Sequence, residues 1–199
     1  VPRAGLTPAL VAEEAARLSD EEGFRSLSLA AVAQRLGVAT PSLYKHVDGL
    51  AGLRREVALL GANGLGEWVQ RAAVGRSGPD ALRAVADAYR RYAHTHPGRY
   101  TALQQLPGLA GAEPGLTTDP VPVLAAVLRG FGIPEDQMVH AIRTLRSTLH
   151  GFVDLETHGG FGLPEDVDRT YALLLEGFIR ALGQWPGAEG AADMRRSRG

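Results

Sequence analysis

The chain has 199 residues, no cysteine and a formal net charge of −1, with 45% hydrophobic and 22% charged residues. That length supports one or two globular domains with a sizeable core, and the lack of cysteine excludes a disulfide framework or a thiolate zinc site. No apolar run approaches the roughly 20 residues needed to span a bilayer, and Val1-Pro2-Arg3-Ala4 carries no signal-peptide core, so a cytoplasmic protein that does not enter a membrane is expected.

Residues 1–5 read as a short arm bearing Arg3. A helix over 8–22 is opened by Thr7-Pro8 and closed by Gly23, with Leu10, Ala15 and Leu18 as apolar members and Phe24 just after it. Over 29–36, Leu29, Val32, Ala33 and Leu36 recur at helical spacing behind Ser28 as N-cap, and Gly37 stops the helix. Thr40-Pro41 restarts the chain with a capping residue and a proline at the first helical position, where its missing N–H is harmless. In the third helix, 41–47, Leu43 and Val47 turn inward to a small core with Leu10, Leu18, Phe24, Leu29, Val32 and Leu36. Ser42, Tyr44, Lys45 and His46 face out, with groups that bind phosphates and base edges. From Gly23 to Arg55 the cations Arg25, Arg35, Lys45, Arg54 and Arg55 face Asp48 alone, and Lys45 is the only lysine of the chain. Net charge thus conceals a local basic patch.

The order helix, Gly-Phe-Arg, Ser-capped helix, Gly-Val, Thr-Pro-Ser-Leu-Tyr-Lys-His-Val, long helix resembles the DNA-binding domain of the tetracycline-repressor (TetR) family, over about residues 6–60. The resemblance implies an all-α fold of about nine helices. Its parts would be an N-terminal three-helix helix-turn-helix DNA-binding domain (1–48), a C-terminal helical ligand-binding and dimerisation domain (49–183) and a tail (184–199). It implies a ligand-responsive transcriptional regulator rather than an enzyme, with no cofactor. Such a repressor binds a near-palindromic double-stranded operator as a homodimer and is released by a small-molecule effector. Ser28, Thr40, Tyr44 and His46 match DNA-contacting positions, the last three usually holding phosphates, while Pro41, Ser42 and Lys45 are placed for base edges. The sequence departs from the family at Leu50, where a phosphate-binding lysine is common, so that Arg54 or Arg55 substitutes or the footprint is smaller.

A long helix over 50–73 contains Gly61, Gly64 and Gly66. Each glycine costs roughly 1 kcal/mol relative to alanine in a helix interior, so the cluster predicts either a hinge or the close approach of a neighbour. A helix over 79–96 turns Leu82, Val85, Ala86, Tyr89 and Tyr92 inward, followed by a short helix over 97–106, a loop over 107–122 and a helix over 121–131. Trp68, Tyr89, Tyr92, His96 and Tyr100 are candidates to line an effector pocket, with Arg143 to meet an anionic group; ordinary aromatic core is the alternative.

In the helix opened by Pro134-Glu135-Asp136, the residues Met138, Ile142, Leu145, Leu149 and Phe152 step by 4, 3, 4 and 3. Val167, Tyr171, Leu174, Phe178 and Ala181 repeat those steps after Pro164-Glu165-Asp166, and Leu173, Leu175, Ile179 and Leu182 add further apolar faces. Two apolar faces predict a four-helix interface between subunits, with Leu145, Leu149, Phe152, Leu174, Phe178 and Leu182 as its candidates and Gly151 and Gly177 at points of close approach. The stretch from Leu149 to Glu156 resembles the Trp-His-Gly signature of one TetR C-terminal subgroup, with Leu149 in place of the tryptophan. No Gly-x-Ser-x-Gly, Walker, His-Glu-x-x-His or dinucleotide-binding pattern occurs. The competing reading is an all-α metal-binding sensor or enzyme using His150, Asp154 and His158, which share one helical face.

Overall fold

A computed structural model describes residues 5–105 and 115–185, and every regular element among them is helical. The arm with Arg3, the first half of the loop expected over 107–122 and nearly all of the expected tail lie outside the described residues. Helix α1 spans Pro8–Glu22, with the Thr7 hydroxyl accepting from the Leu10 N–H at 3.2 Å, and it ends at Gly23 with φ +89°. After a single 3-10 turn, Phe24–Ser26, helix α2 runs Leu29–Leu36. The Ser28 hydroxyl caps it by accepting from Ala31 N–H at 3.2 Å, and Gly37 stops it at φ +66°. Only glycine adopts such a left-handed stop without strain.

The third element of the helix-turn-helix is a 3-10 segment, Thr40–Lys45, not the α-helix expected over 41–47. Its N-cap is Ala39 with no side-chain cap, so Thr40 is its first residue and not its capping residue. Bonds from Ser42 N–H to Ala39 C=O (2.9 Å) and from His46 N–H to Leu43 C=O (2.8 Å) have 3-10 spacing. A segment of this length, held between Gly37 and the turn at Gly49 (φ +61°), is too short to establish an α-helical ladder.

Helix α3 spans Gly49–Ala73, α4 Gly78–Thr95 and α5 Pro97–Gln105. Helix α6 spans Pro120–Arg129; a 3-10 turn, Glu135–Gln137, leads into α7, Met138–Thr157; and α8, Val167–Leu182, is capped by the Asp166 carboxylate. The described residues of Val1–Glu67 and Tyr92–Asp119 make one compact unit, and those of Trp68–Arg91 and Pro120–Gly199 the other. The division is therefore discontinuous in sequence.

The first unit is built around Val11, Leu18, Phe24, Leu27, Val32, Leu43, Leu53 and Val57, with Leu29 and Leu36 partly buried against them. Leu10, expected in this core, is exposed because Val11, Ala15 and Leu18 set the inward phase of α1, and Leu10 is about 100° from Val11. Helix α5 belongs to the same unit. Its Ala102 joins the core, and a methyl on Gly98 would strike the Ser19 carbonyl. Asp20 holds that corner by accepting from Arg99 N–H (2.9 Å), while its other oxygen lies 3.1 Å from Arg99 Nε and 3.4 Å from His96 Nδ1.

Helix α3 runs unbroken through its glycine cluster, and each glycine faces a close neighbour. A Cβ on Gly61 would meet the Arg99 carbonyl, one on Gly64 the Tyr92 hydroxyl at 2.6 Å, and one on Gly66 the Thr118 carbonyl. Between them, Asn63 donates to Gly115 C=O (2.9 Å) and accepts from Thr117 N–H (2.7 Å) and Thr118 N–H (3.1 Å). Close approach is what these glycines supply in the structure.

In the second unit Leu82, Val85, Ala86, Leu128, Met138, Leu145, Leu149, Val153, Tyr171, Leu175 and Leu182 are buried. Arg90 ties α4 to α7 and α8. It bonds Glu156 and, at 2.7 Å, Asp168, and it lies 4.7 Å from the Tyr171 ring centroid. The Tyr171 hydroxyl donates to Ala86 C=O at 2.7 Å.

Candidate nucleic-acid interface

The Thr40–Lys45 segment is fixed from beneath. Leu43 is fully buried and Val47 nearly so, and between and around them Pro41, Tyr44 and Lys45 are exposed while Ser28, Thr40, Ser42 and His46 are half-buried. All seven expected DNA-contacting residues thus lie in the first unit, on or beside two short elements whose apolar sides are spent on its core. Tyr44, a large aromatic, is 62% exposed with no apolar role in the protomer. Hydroxyl, imidazole, ammonium and phenol groups on one rigid support form a surface suited to phosphates and base edges.

The basic patch is smaller than its sequence. Arg35 turns back toward α1, with Nε 2.8 Å from Glu14 and Nη1 2.6 Å from Glu21, and Arg55 lies 4.0 Å from Glu56. The hydrogen bond with Arg35 holds the Glu21 carboxyl below its ordinary range and raises the guanidinium above its own, so this cation is committed within the protein. Arg25, Lys45 and Arg54 are exposed and remain uncompensated by a carboxylate among the described residues. Arg54 lies over the Phe24 ring, 5.7 Å from its centroid, a relation that sequence spacing does not show.

The other expected sites divide between the units. Tyr92, His96 and Tyr100 belong to the first, where Tyr92 and Tyr100 are buried and the Tyr92 and His96 ring centroids lie 5.0 Å apart. Trp68, Tyr89 and Arg143 belong to the second; Tyr89 is buried, Trp68 half-buried and Arg143 exposed on α7. A depression of 260 Å³ in the second unit is lined by Arg83, Arg90, Asp168, Tyr171 and Glu176 among others, and by none of the six expected effector-binding residues. Its arginines are already engaged by carboxylates, Arg83 by Glu176 at 2.7 Å and Arg90 by Asp168.

Of the expected interface residues, Leu145, Leu149, Phe152 and Leu182 are buried in the second unit's own core. A side chain covered by its own protomer cannot also meet a partner. Phe152, for example, packs at 4.9 Å from both Phe161 and Tyr171. Leu174 and Phe178 are half-buried, and with exposed Leu173 and Ala181 they form a second apolar stripe on α8. Gly151 and Gly177 face open space, with nothing within 4 Å of a built Cβ. The His150, Asp154 and His158 stripe does not gather into a metal site, and no group of three ligand side chains among the described residues is placed to hold one. His158 lies at the C-cap of α7 with Nδ1 2.8 Å from the Asp154 carbonyl oxygen.

Two sequence families match this chain. Residues 11–57 match the one described as "Bacterial regulatory proteins, tetR family", and residues 82–178 the one described as "Tetracyclin repressor-like, C-terminal domain". The uncharacterized HTH-type transcriptional regulator Rv0681 of Mycobacterium tuberculosis is 40% identical over 162 residues, 79% of this chain and 72% of that protein. The chain belongs to the TetR family of transcriptional regulators.

A second relative in sequence, the uncharacterized HTH-type transcriptional regulator YobS of Bacillus subtilis, is 33% identical over 91% of this chain and 95% of its own length. In fold, the TetR protein ActR of Streptomyces coelicolor, solved in complex with (S)-DNPA, superposes with a TM-score of 0.66 at 19% identity, covering 90% of this chain and 98% of that one. The match over residues 11–57 takes in most of α1, all of α2, the Thr40–Lys45 segment and the start of α3. No helix among the described residues is long and apolar enough to cross a membrane.

Proposed function

We propose that this TetR-family regulator is a ligand-responsive repressor that binds a near-palindromic operator as a homodimer in the cytoplasm and is released by a small-molecule effector. The observation that carries the reading is the Thr40–Lys45 segment, anchored by Leu43 while Pro41, Tyr44 and Lys45 stand exposed. Lys45 and Ser42, beside Pro41, read base edges in the major groove, and Ser28, Thr40, Tyr44 and His46 hold flanking phosphates. Two copies reach successive major grooves about 34–36 Å apart. The outward stripe of Leu173, Leu174, Phe178 and Ala181 on α8, with the bare backbone at Gly151 on α7 and Gly177 on α8, supports pairing of these two helices with their copies.

ActR's complex with a small molecule supports an effector for this chain too, bound in the helical body where aromatic side chains such as Trp68 and Tyr89 reside. Release requires that the effector bind the DNA-free form more tightly, because only differential affinity shifts the equilibrium. The test is fluorescence anisotropy with a duplex carrying the DNA upstream of the protein's own coding region, against a mixed-sequence duplex of equal length. Preference for the upstream duplex by a two-chain complex is expected. Equal affinity for the two, or binding as a single chain, overturns the reading. A thermal-shift screen of small molecules then identifies the effector, since a ligand of the folded state raises the melting temperature.

A further inference from the structure

We propose that Arg54 is a phosphate-holding residue of the DNA-reading unit, aimed in advance by the ring of Phe24. The proposal rests on the reading of Thr40–Lys45 as the DNA-contacting segment. Arg54 is exposed on the second turn of α3, and its guanidinium carbon lies 5.7 Å from the Phe24 ring centroid. Phe24 is itself 6% exposed and fixed in the unit's core, so the platform under the guanidinium does not move independently of the fold.

A guanidinium held at cation–π distance from a ring keeps its N–H donors for other acceptors, and these match the oxygens of a phosphate. A free arginine surrenders rotamer entropy when it is held in place. One already restrained by a ring surrenders less at the moment of binding. The ring also sets where the charge stands. Phe24 opens the turn Phe24–Ser26 that leads into Ser28, whose hydroxyl caps α2, so Arg54 is brought to the loop that precedes a DNA-facing helix start.

Its charge is available, as are those of Arg25 and Lys45. Arg35 is bound by Glu14 and Glu21 and Arg55 stands beside Glu56, whereas Arg54 has no carboxylate partner among the described residues. An arginine placed for fold stability would be expected to face an acid, as Arg35 and Arg90 do. This one is left with a cation–π contact and unspent donors.

The experiment compares wild type, Arg54→Met and Arg54→Lys on the upstream duplex and on a mixed-sequence duplex, from about 50 to 200 mM salt. Methionine keeps the packing on the ring and removes the charge. Loss of one phosphate contact lowers the slope of log affinity against log salt by about 0.9 per bound chain, so over that fourfold salt range wild type loses about 3.5-fold more affinity per chain than Arg54→Met. The expected result is this reduced slope in Arg54→Met on both duplexes, a slope kept by Arg54→Lys, and melting temperatures unchanged in both. A merely structural role would move the melting temperature and leave the slope. An unchanged slope in Arg54→Met, with wild type binding normally, overturns the role of Arg54 and leaves the reading segment standing. Failure of wild type to bind either duplex overturns both.

Discussion

Alanine at Gly151 and at Gly177 distinguishes a helix surface open to water from one pressed against a partner subunit. Both glycines sit inside long helices, and a Cβ on either meets nothing within 4 Å among the described residues. In a lone chain each replacement adds helix propensity alone, about 0.8–1 kcal/mol. For a chain of this size that raises the melting temperature by about 2–4 °C. The proposed pairing of α7 and α8 with their copies adds an opposing effect. A methyl forced between closely approaching backbones costs about 1–3 kcal/mol. Two symmetry-related methyls therefore weaken the dimer by about 2–6 kcal/mol, at least roughly a 30-fold rise in its dissociation constant. Sedimentation equilibrium over a concentration series reads that constant directly, and thermal melts at low and high concentration read the opposing gain in the protomer. The expected pattern is weaker association with a more stable chain. If both variants melt higher and their dimers dissociate as wild type does, the two glycines do not lie on a seam and the placement of the interface is wrong.

Lys45→Ala removes the exposed ammonium of the reading segment; loss of a base contact costs about 1–3 kcal/mol, seen as a drop in affinity for the upstream duplex and a changed base preference, whereas an equal drop on mixed-sequence DNA would make it a phosphate contact. Gly98→Ala sets a methyl against the Ser19 carbonyl and the Asp20 N–H, backbone groups that cannot swing aside; urea denaturation is expected to show a loss of about 1–3 kcal/mol, and an unchanged midpoint would refute the tight α1–α5 packing. Burial holds the phenols of Tyr92 and Tyr171 above their ordinary range. An unfolded tyrosine ionises near about 10, so the stability these two contribute is whole below that pH and is lost as pH rises through their folded values. Alkaline ultraviolet titration should show Tyr92 and Tyr171 ionising late, together with loss of far-ultraviolet circular dichroism; ionisation of both in the ordinary phenol range in a still-folded chain would contradict this.

What the sequence made legible was local. Thr7, Ser28, Gly23 and Gly37 mark the ends of α1 and α2 because capping and left-handed stops depend on a few adjacent residues. Leu43 and Val47 were legible for a similar reason, being the apolar pair of a short element. The misplaced features depend on residues far apart in the chain. Arg35 counts toward a basic patch until α1 brings Glu14 and Glu21 to it. Helix α8 is apolar on two sides, and periodicity cannot say which side meets its own protomer; Tyr171, Leu175 and Leu182 do, leaving the Leu173 and Leu174 side outward. The discontinuous first unit follows from α5 packing on α1, a pairing of segments some eighty positions apart that no local pattern records. Charge counting singles out Arg54 but not its seat over Phe24, because that ring lies thirty positions earlier in the chain.

The glycines of α3 change what that helix can do mechanically. At Gly61, Gly64 and Gly66 the absent side chains form slots, and into each fits a group from a different point of the chain between Tyr92 and Thr118. Asn63 pins three backbone groups of that same stretch within the span of the slots. A shaft notched and pinned in this way turns only with whatever sits in its notches. Torque applied to residues 92–105 or 115–119 therefore passes into α3 without slack, and α3 begins four residues after Lys45.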